Sequence, residues 1–574
     1  MTAHSTSLQM SASAISTAPT DQHEIDQAVG ALKQRAQEFA RLAPVAKAQL
    51  LRECIPRLLD AAPAWVAEGA RVRDADPGEE WLAGPTATIR MFRLLAKSLD
   101  QIGQAGKPSL GRGARRRPDG RLEIQLFPAS PLDGVMYGGF TGHVLMQAGV
   151  DEYHAREQQA AFYSHKDPGG GVSLVLGAGN VSSIPPMDVA TKMFVEGFVC
   201  VLKMNPVNEW VGPHLERALA PLIDRGYLRI VYGGAEVRGH LCEHPLVDDV
   251  HITGSDRTHD AIVWGPPGPD RDRRLSAGTP RLQKPISSEL GNVSPVAIVP
   301  HQYSDAELGF QARNVVTMVV NNASFNCNAA KMLITARGWA QRDKFLDLVA
   351  QGLAQAPTRK AYYPGAFERY ERLLGGHANV ERIGQGTAEK LPWALVRGLD
   401  AGSDDPLFRV EPFCGVLSET SLDGADPAEF IRTATAFMND RMWGTLAATF
   451  IIHPKTEEDP LVAQTLDRAI VDLRYGTVAI NHWPALCYAF GTMPWGGHPS
   501  ATLANIQSGL GWVHNTFMLG GVDKSVVRGP LTQSPAPLWF FDNPKTGRVA
   551  PATASMEAAP SWLKLPGLFA KVLL

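Results

Sequence analysis

VSLVLGAG (172–179), PPMDVATKMFVEGF (185–198), VCVLKM (199–204), GPHLERALAPLIDRG (212–226), LRIVYGG (228–234), AEVRGHLCEH (235–244) and VDDVHITGS (247–255) follow one another with little between them. Short apolar runs alternate here with amphipathic stretches, the pattern of βαβ units and so of a parallel sheet with helices on both faces. In such sheets ligands sit beyond the carboxyl ends of the strands. Those ends are Gly177 to Asn180, Lys203 to Pro206, Gly233 to Gly234, and Gly254 to Ser255. The rhythm is that of a nucleotide-binding domain. Pro185 and Pro186 fall where a helix start tolerates proline, which leaves Asn180 projecting from a strand end.

On the N-terminal side, residues 24 to 75 and about 87 to 102 carry apolar positions at helical spacing and predict amphipathic helices. GKPSLGRGARRRPDGR (106–121) reads as a loop. Its Arg115, Arg116 and Arg117 lack interleaved aromatics for stacking on bases, so a solvated connector is expected. RLEIQLFPAS and DGVMYGGFTGHVLMQ then suit the strands of an extended ribbon. On the other side, GPPGPDRDRRLSAGTPRLQKP (265–285) reads as an irregular connection with a domain boundary near 285, after which strands and helices resume to about 480.

The first 22 residues, rich in Ser, Thr and Ala, read as a disordered tail and lack the apolar run of a signal peptide. The terminus WLKLPGLFAKVLL is too short to span a membrane, and docking on another part of the chain or on a second subunit explains it more simply. With 574 residues, two or three domains are expected. A net charge of -3, from 55 basic and 58 acidic residues, gives no pull toward nucleic acid or anionic membrane. Six scattered cysteines without a CxxC pair point to reduced thiols and a cytoplasmic protein.

Chemistry concentrates in KPISSELGNVSPVAIV (284–299) and NNASFNCNAAKMLIT (321–335). The first offers Glu289 beside a Gly-Asn turn. The second offers Cys327 among small and amide residues. A thiolate is a strong nucleophile near neutral pH, and a carboxylate nearby can activate water to hydrolyse the resulting thioester. Taken alone, Cys327 could equally be a small buried hydrophobe and Glu289 a surface acid.

SELGNVSPVAIV followed by NNASFNC resembles the aldehyde dehydrogenase superfamily, whose usual wording is ELGGKSP and then GQxC. Further resemblances come in order: LGAGNVSSIPP for the PWNFP-like turn, VCVLKM for VVLKP, HPLVDDVHITGS (244–255) for HPxVDxVxFTGS, EPFCGVL (411–417) for ExFGPV, MNDRMWGTLAATFI (438–451) for NDTxYGLAAxVF, and finally GTVAINHW with PWGGHPSATLANIQSGLG for the closing segments. The resemblance implies an α/β fold with a Rossmann-type dinucleotide-binding domain (23–112 and 165–286), a catalytic α/β domain (287–515), and a ribbon plus C-terminal tail (113–164 and 516–574) for oligomerisation as a homodimer or homotetramer. It implies Cys327 as nucleophile, Glu289 as base and Asn180 as oxyanion donor with the Cys327 backbone N–H. Lys203 and Glu411 would hold the ribose groups, Phe413 would lie beside the nicotinamide, and Gly254 and Ser255 would meet the pyrophosphate.

Departures from the family wording bear on what transfers. His259 stands where a second glycine usually follows Gly254, implying a wider turn. Ser324-Phe325 replaces GQ, implying altered access to the thiol, and Asn292-Val293 replaces the GK of ELGGK. Pro206, three positions after Lys203, would not repel a 2′-phosphate, so the cofactor is NAD or NADP. His240, Cys242 and His244 are ligand types, but they would not share a helix face, and no metal site is assigned. No GxSxG elbow offers a rival nucleophile. The implied reaction is NAD(P)-dependent oxidation of a small-molecule aldehyde to a carboxylic acid. The alternatives are CoA-linked acylating oxidation or acyl-CoA reduction, and a nucleotide-binding scaffold without turnover. His482, Trp483, Tyr488, Phe490 and Trp495 suggest an apolar or aromatic aldehyde, or else core residues.

Overall fold

The computed structural model of the chain describes residues 17–110, 113–424 and 426–573. Its strands are β1 (Ala114–Arg116), β2 (Leu122–Phe127), β3 (Thr141–Met146), β4 (Val172–Leu176), β5 (Val199–Lys203), β6 (Leu228–Val231), β7 (Asp249–Gly254), β8 (Ile286–Leu290), β9 (Ser294–Ile298), β10 (Ala330–Ala336), β11 (Val380–Ile383), β12 (Trp393–Leu399), β13 (Val416–Leu422), β14 (Ala447–Ile451), β15 (Thr477–Ile480) and β16 (Val522–Arg528).

Five of them form one parallel sheet in the order β6-β5-β4-β7-β8. β4 and β5 are buried along their whole length, which is why they read as nearly unbroken apolar runs rather than as alternation. Chain order reverses between β4 and β7, so the crevice at their carboxyl ends lies between Gly177 and Gly254. Helices Gln22–Arg41, Pro44–Arg73 and Ala87–Ala105 share the apolar core of this sheet.

The other sheet has eleven strands in the order β1-β2-β3-β16-β15-β14-β9-β10-β13-β12-β11. From β16 to β12 its pairings are parallel, while β1, β2 and β3 extend it as antiparallel strands beyond β16. The ribbon is therefore continuous with the larger sheet. The change of sheet falls at Gly291 to Val293, because β8 still pairs with β7. Glu289 thus belongs to the smaller sheet, and the boundary expected near 285 lies a strand later.

Other expectations also change. The arginine run is solvated at Arg115 and Arg116, as expected, but these two lie in β1, paired with Glu123 and Leu122, rather than in a loop, and Arg117 is buried against Glu123 and Asp467. The Pro- and charge-rich connection contains a helix, Pro269–Ala277, with Pro at its start and Gly278 in the left-handed conformation at its end. Most of the expected disordered tail lies outside the described residues. Residues 17 to 22 are ordered: the Thr20 N–H donates to the Tyr232 carbonyl, the Tyr232 N–H donates to the Thr20 hydroxyl, and Asp21 caps the first helix. The C-terminal helices Thr546–Ala558 and Leu565–Leu573 dock on the chain itself through Val549, Met556, Leu565 and Leu568, while Leu563 stays exposed.

Candidate active site

Glu289, next to last on β8, is 4% exposed, and its carboxylate and the Cys327 thiol lie close enough to change each other's affinity for a proton. The indole N–H of Trp495 donates to Glu289 Oε1 at 3.1 Å. Burial pushes the Glu289 carboxyl up to about 8, the neighbouring Cys327 thiol and the Trp495 N–H pull against it, and the charges of Asp188 and Glu411 reinforce it. Burial, then the Glu289 charge, also holds the Cys327 thiol well above its usual range, with Lys331 opposing.

The loop that presents Cys327 comes directly after helix Asp305–Val320. Asn322, Ala323 and Ser324 adopt φ of 52°, 53° and 68°, in the left-handed region that residues with a Cβ disfavour. Hydrogen bonds hold the turn. The Asn322 side-chain amide donates to the backbone oxygens of Asn180 and Phe325, its Oδ1 accepts from the Tyr362 hydroxyl at 2.8 Å, and Lys331 Nζ donates to the carbonyls of Asn326 and Cys327. Ser324 thus occupies with strain a position that glycine would take freely. Phe325 packs against Tyr362, Tyr363 and Phe413 with ring centroids 4.9, 5.7 and 5.8 Å away, so the Ser324-Phe325 departure anchors the loop in an aromatic cluster two residues before Cys327.

Asn180 reaches this loop, where its Nδ2 donates to the Phe325 carbonyl at 2.9 Å, leaving one amide hydrogen uncommitted. The Cys327 backbone N–H has no protein acceptor among the described residues. Lys203 is buried at the end of β5 with no hydrogen-bond acceptor among the described residues, and burial lowers it to about 8. Ser255 caps helix Asp256–Val263 directly, and His259 is buried within that helix, so the expected wider turn is absent. Glu411 is turned inward, with Oε1 2.6 Å from Lys331 Nζ. A Cβ on Gly291 would come within 1.9 Å of Glu411 Oε2, so the first glycine after ELG's leucine is required by this carboxylate. Phe413, at φ 43°, faces Tyr363, and Arg369 grips the carbonyls of Pro412 and Phe413.

Lys331 and Asp188 carried no recognisable sequence signal, and Asn292 was marked only as a departure from the family wording. Lys331 is fully buried and also donates to the Asn292 carbonyl. Asp188 is buried beside Glu289, its Oδ2 accepting from Thr253 at 2.8 Å, and both it and His514 line the cavity above Cys327. Asn292, in place of the usual glycine, donates to Ala447 O and accepts from Ser294, which also reaches the Cys327 carbonyl. The cavity has a volume of about 550 Å³ and is lined by Cys327, Glu289, Trp483, Tyr488, Phe490 and Trp495 among others. His482 is not among its walls; it is buried against Phe140 and held down to about 3 by that burial.

His240 and His244 meet Asp26 rather than Cys242, with Asp26 Oδ1 2.6 and 3.4 Å from their Nε2 atoms. The Leu246 N–H donates to His244 Nδ1, which puts that ring's proton on Nε2, facing the carboxylate. Gln22 Nε2 meets His240 Nδ1 in the same way. Asp26 is thus the shared partner of the two rings, and the ligand-type atoms of the three side chains lie within 4.8 Å of one another.

The family model described as the aldehyde dehydrogenase family matches residues 140–364. Among curated proteins, the chain is 25% identical over 237 residues to geranial dehydrogenase of Castellaniella defragrans, covering 38% of this chain and 45% of that protein. It is 25% identical over 359 residues to peroxisomal aminoaldehyde dehydrogenase 2 of Malus domestica, covering 59% of each. The chain thus matches only about half the length of these curated relatives. Among solved structures, the aldehyde dehydrogenase KauB from Pseudomonas aeruginosa superposes with a TM-score of 0.60 at 17% identity, covering 89% of this chain and 90% of that one. Glyceraldehyde-3-phosphate dehydrogenase GapN from Methanocaldococcus jannaschii, complexed with NADP, gives 0.59 at 13% identity, with 90% and 96% covered. At such identities the structures establish the shared fold.

Proposed function

We propose that the chain, which matches the aldehyde dehydrogenase family model over residues 140–364 and shares the fold of solved aldehyde dehydrogenases, oxidises an aldehyde to a carboxylic acid with NAD or NADP, through a thiohemiacetal and then a thioester on Cys327. One observation carries the reading: a cysteine thiol and a buried carboxylate line the same apolar cavity, which ends beside an α/β nucleotide crevice.

Lys203, which has no acceptor among the described residues, and the N–H groups of Asp256 and Arg257 behind Ser255, which have none among them either, suit a dinucleotide's ribose and diphosphate. Phe413 would lie beside the nicotinamide, and Glu411, with one oxygen committed to Lys331, has the other for a ribose hydroxyl. When bound, the cofactor accepts the hydride that leaves the thiohemiacetal carbon.

The remaining steps belong to side chains. Glu289 takes the thiol proton as sulfur adds to the carbonyl carbon. The Cys327 backbone N–H and the free amide hydrogen of Asn180 meet the oxygen that becomes negative, a contribution of ~3 kcal/mol per donor in a dry site. After hydride loss, Glu289 releases its proton and removes one from water as water attacks the thioester. The C–S bond breaks, the acid leaves and the thiol re-forms. Trp495 holds Glu289 in place throughout.

The test is reduced-nicotinamide absorbance with NAD or NADP across short, long and aromatic aldehydes, with and without CoA, using Cys327→Ala as the blank. CoA-independent turnover lost in that variant is expected. Strict CoA dependence would replace water with a thiol acceptor, and cofactor binding without any aldehyde-dependent adduct would leave a scaffold instead of an enzyme.

A further inference from the structure

The cavity above Cys327 continues far beyond the catalytic loop, and its distant wall is made by the end of the chain. Leu538 and Trp539 lie on that wall, together with Val549 from helix Thr546–Ala558 and Leu568, Phe569 and Val572 from helix Leu565–Leu573. The facing wall is apolar as well, with Val135, Met136 and Phe140 beside Leu486 and Phe490.

Charges on this lining are already answered. Arg90 is 2% exposed, and its guanidinium meets Asp133 at 2.9 Å and Glu557 at 2.7 Å. Glu79 is paired with Arg359 at 2.9 Å. Asp76 caps the short helix Pro77–Trp81 from an exposed position, and Asp188 lies at the catalytic end. A substrate tail bearing carboxylate or phosphate would bring its charge to a wall with no free cation among the described residues, at a desolvation cost nothing offsets.

We infer that the C-terminal segment 533–572 is the specificity wall for the substrate's tail, and that the substrate class is an uncharged aldehyde with a long apolar chain. This rests on the aldehyde oxidation proposed above and extends it. A cavity of about 550 Å³ is in the range of pockets that enclose ligands on the order of ten or more carbons. Each methylene moved from water onto these walls strengthens binding about fourfold. The C-terminal tail therefore has a part in selecting substrate, whatever part it has in assembly.

The experiment is kcat/KM for straight-chain aldehydes from butanal to tetradecanal with the full-length protein and its nicotinamide cofactor. The expected profile climbs several-fold per methylene and then breaks where the chamber is full. Val572→Trp should move the break to shorter chains, and Phe569→Ala, at a partly exposed position that tolerates truncation, should move it to longer ones. A flat profile, or a break that neither variant moves, overturns the inference. A parallel calorimetric titration of Cys327→Ala protein with 1-dodecanol needs no turnover. Dodecanol binding that Val572→Trp weakens, with no aldehyde oxidised, would keep the apolar chamber and reject the oxidation. Aldehyde turnover without dodecanol binding would do the reverse.

Discussion

In the reaction proposed above Glu289 must hold a proton at one moment and be rid of it at the next, so its affinity for that proton would set the pace of hydrolysis. Burial raises its carboxyl to about 8, and the neighbouring charges of Asp188 and Glu411 act in the same direction. Only the ionised form can take a proton from water, and that form is populated above the raised pKa. Thioester hydrolysis should therefore increase as pH rises through about 8 and level off beyond it. Asp188→Asn removes one negative neighbour, which stabilises the ionised Glu289 and should shift the rising limb toward lower pH. The check is a pH profile of steady-state turnover beside the rate of the first-turnover burst; Glu289→Gln should slow both, because the same carboxylate takes the thiol proton first and the water proton later. A limb that stays in place in Asp188→Asn would mean that the Asp188 charge has no part in raising Glu289 and that burial and Glu411 suffice. At this scale the sequence was informative about Cys327 and Glu289, because their neighbours in the chain carry the motif. Asp188 was not legible: it sits in an ordinary helix and reaches Glu289 only through the fold.

Among the elements, β10 and the turn after β8 are joined by one ammonium group. Lys331 on β10 is fully buried and donates to the carbonyls of Asn292, Asn326 and Cys327 as well as to Glu411. It ties together the catalytic loop, the Gly291 turn and the acid expected to face the ribose. Removing one partner of such a pair leaves the other charge unanswered, at a cost of ~3–5 kcal/mol. Lys331→Met should lower stability by that order in urea unfolding, and the double variant Lys331→Met with Glu411→Gln should recover part of the loss. Full additivity of the two single losses would show that the pair is not coupled. The alternation of strands and helices from 172 to 255 was readable because each element's pattern is local. The helix at Pro269–Ala277 was not, since its apolar face is nearly absent and the Pro and Gly at its two ends decide it. β1 was missed for a related reason: three residues acquire strand form from their pairing with β2 and show no pattern of their own.

Over the whole molecule, the two ends of the chain are fastened through charges that no sequence window contains. Glu557 is 3% exposed, with Oε1 2.7 Å from Arg90, and it also pairs with Arg93. These arginines belong to helix Ala87–Ala105, whose core faces the smaller sheet, so the C-terminal helices are anchored to an element that supports the nucleotide crevice. The separation of 467 residues explains why the tail read only as an apolar terminus. Glu557→Ala leaves Arg90 with Asp133 alone and Arg93 without its buried partner, a loss of ~3 kcal/mol or more that falls on the docking of the C-terminal segment. Global unfolding would register only part of it, because the segment can open while both sheets persist. Limited proteolysis should then cut between 541 and 573 in Glu557→Ala under conditions that leave the parent chain intact, and hydrogen exchange should quicken in helices Thr546–Ala558 and Leu565–Leu573 first. Glu557→Gln, which keeps a hydrogen-bond acceptor for Arg90, should fall between the two. Identical cleavage in all three proteins would assign the anchoring to the apolar contacts of Val549, Met556, Leu565 and Leu568, because those contacts survive every one of these substitutions.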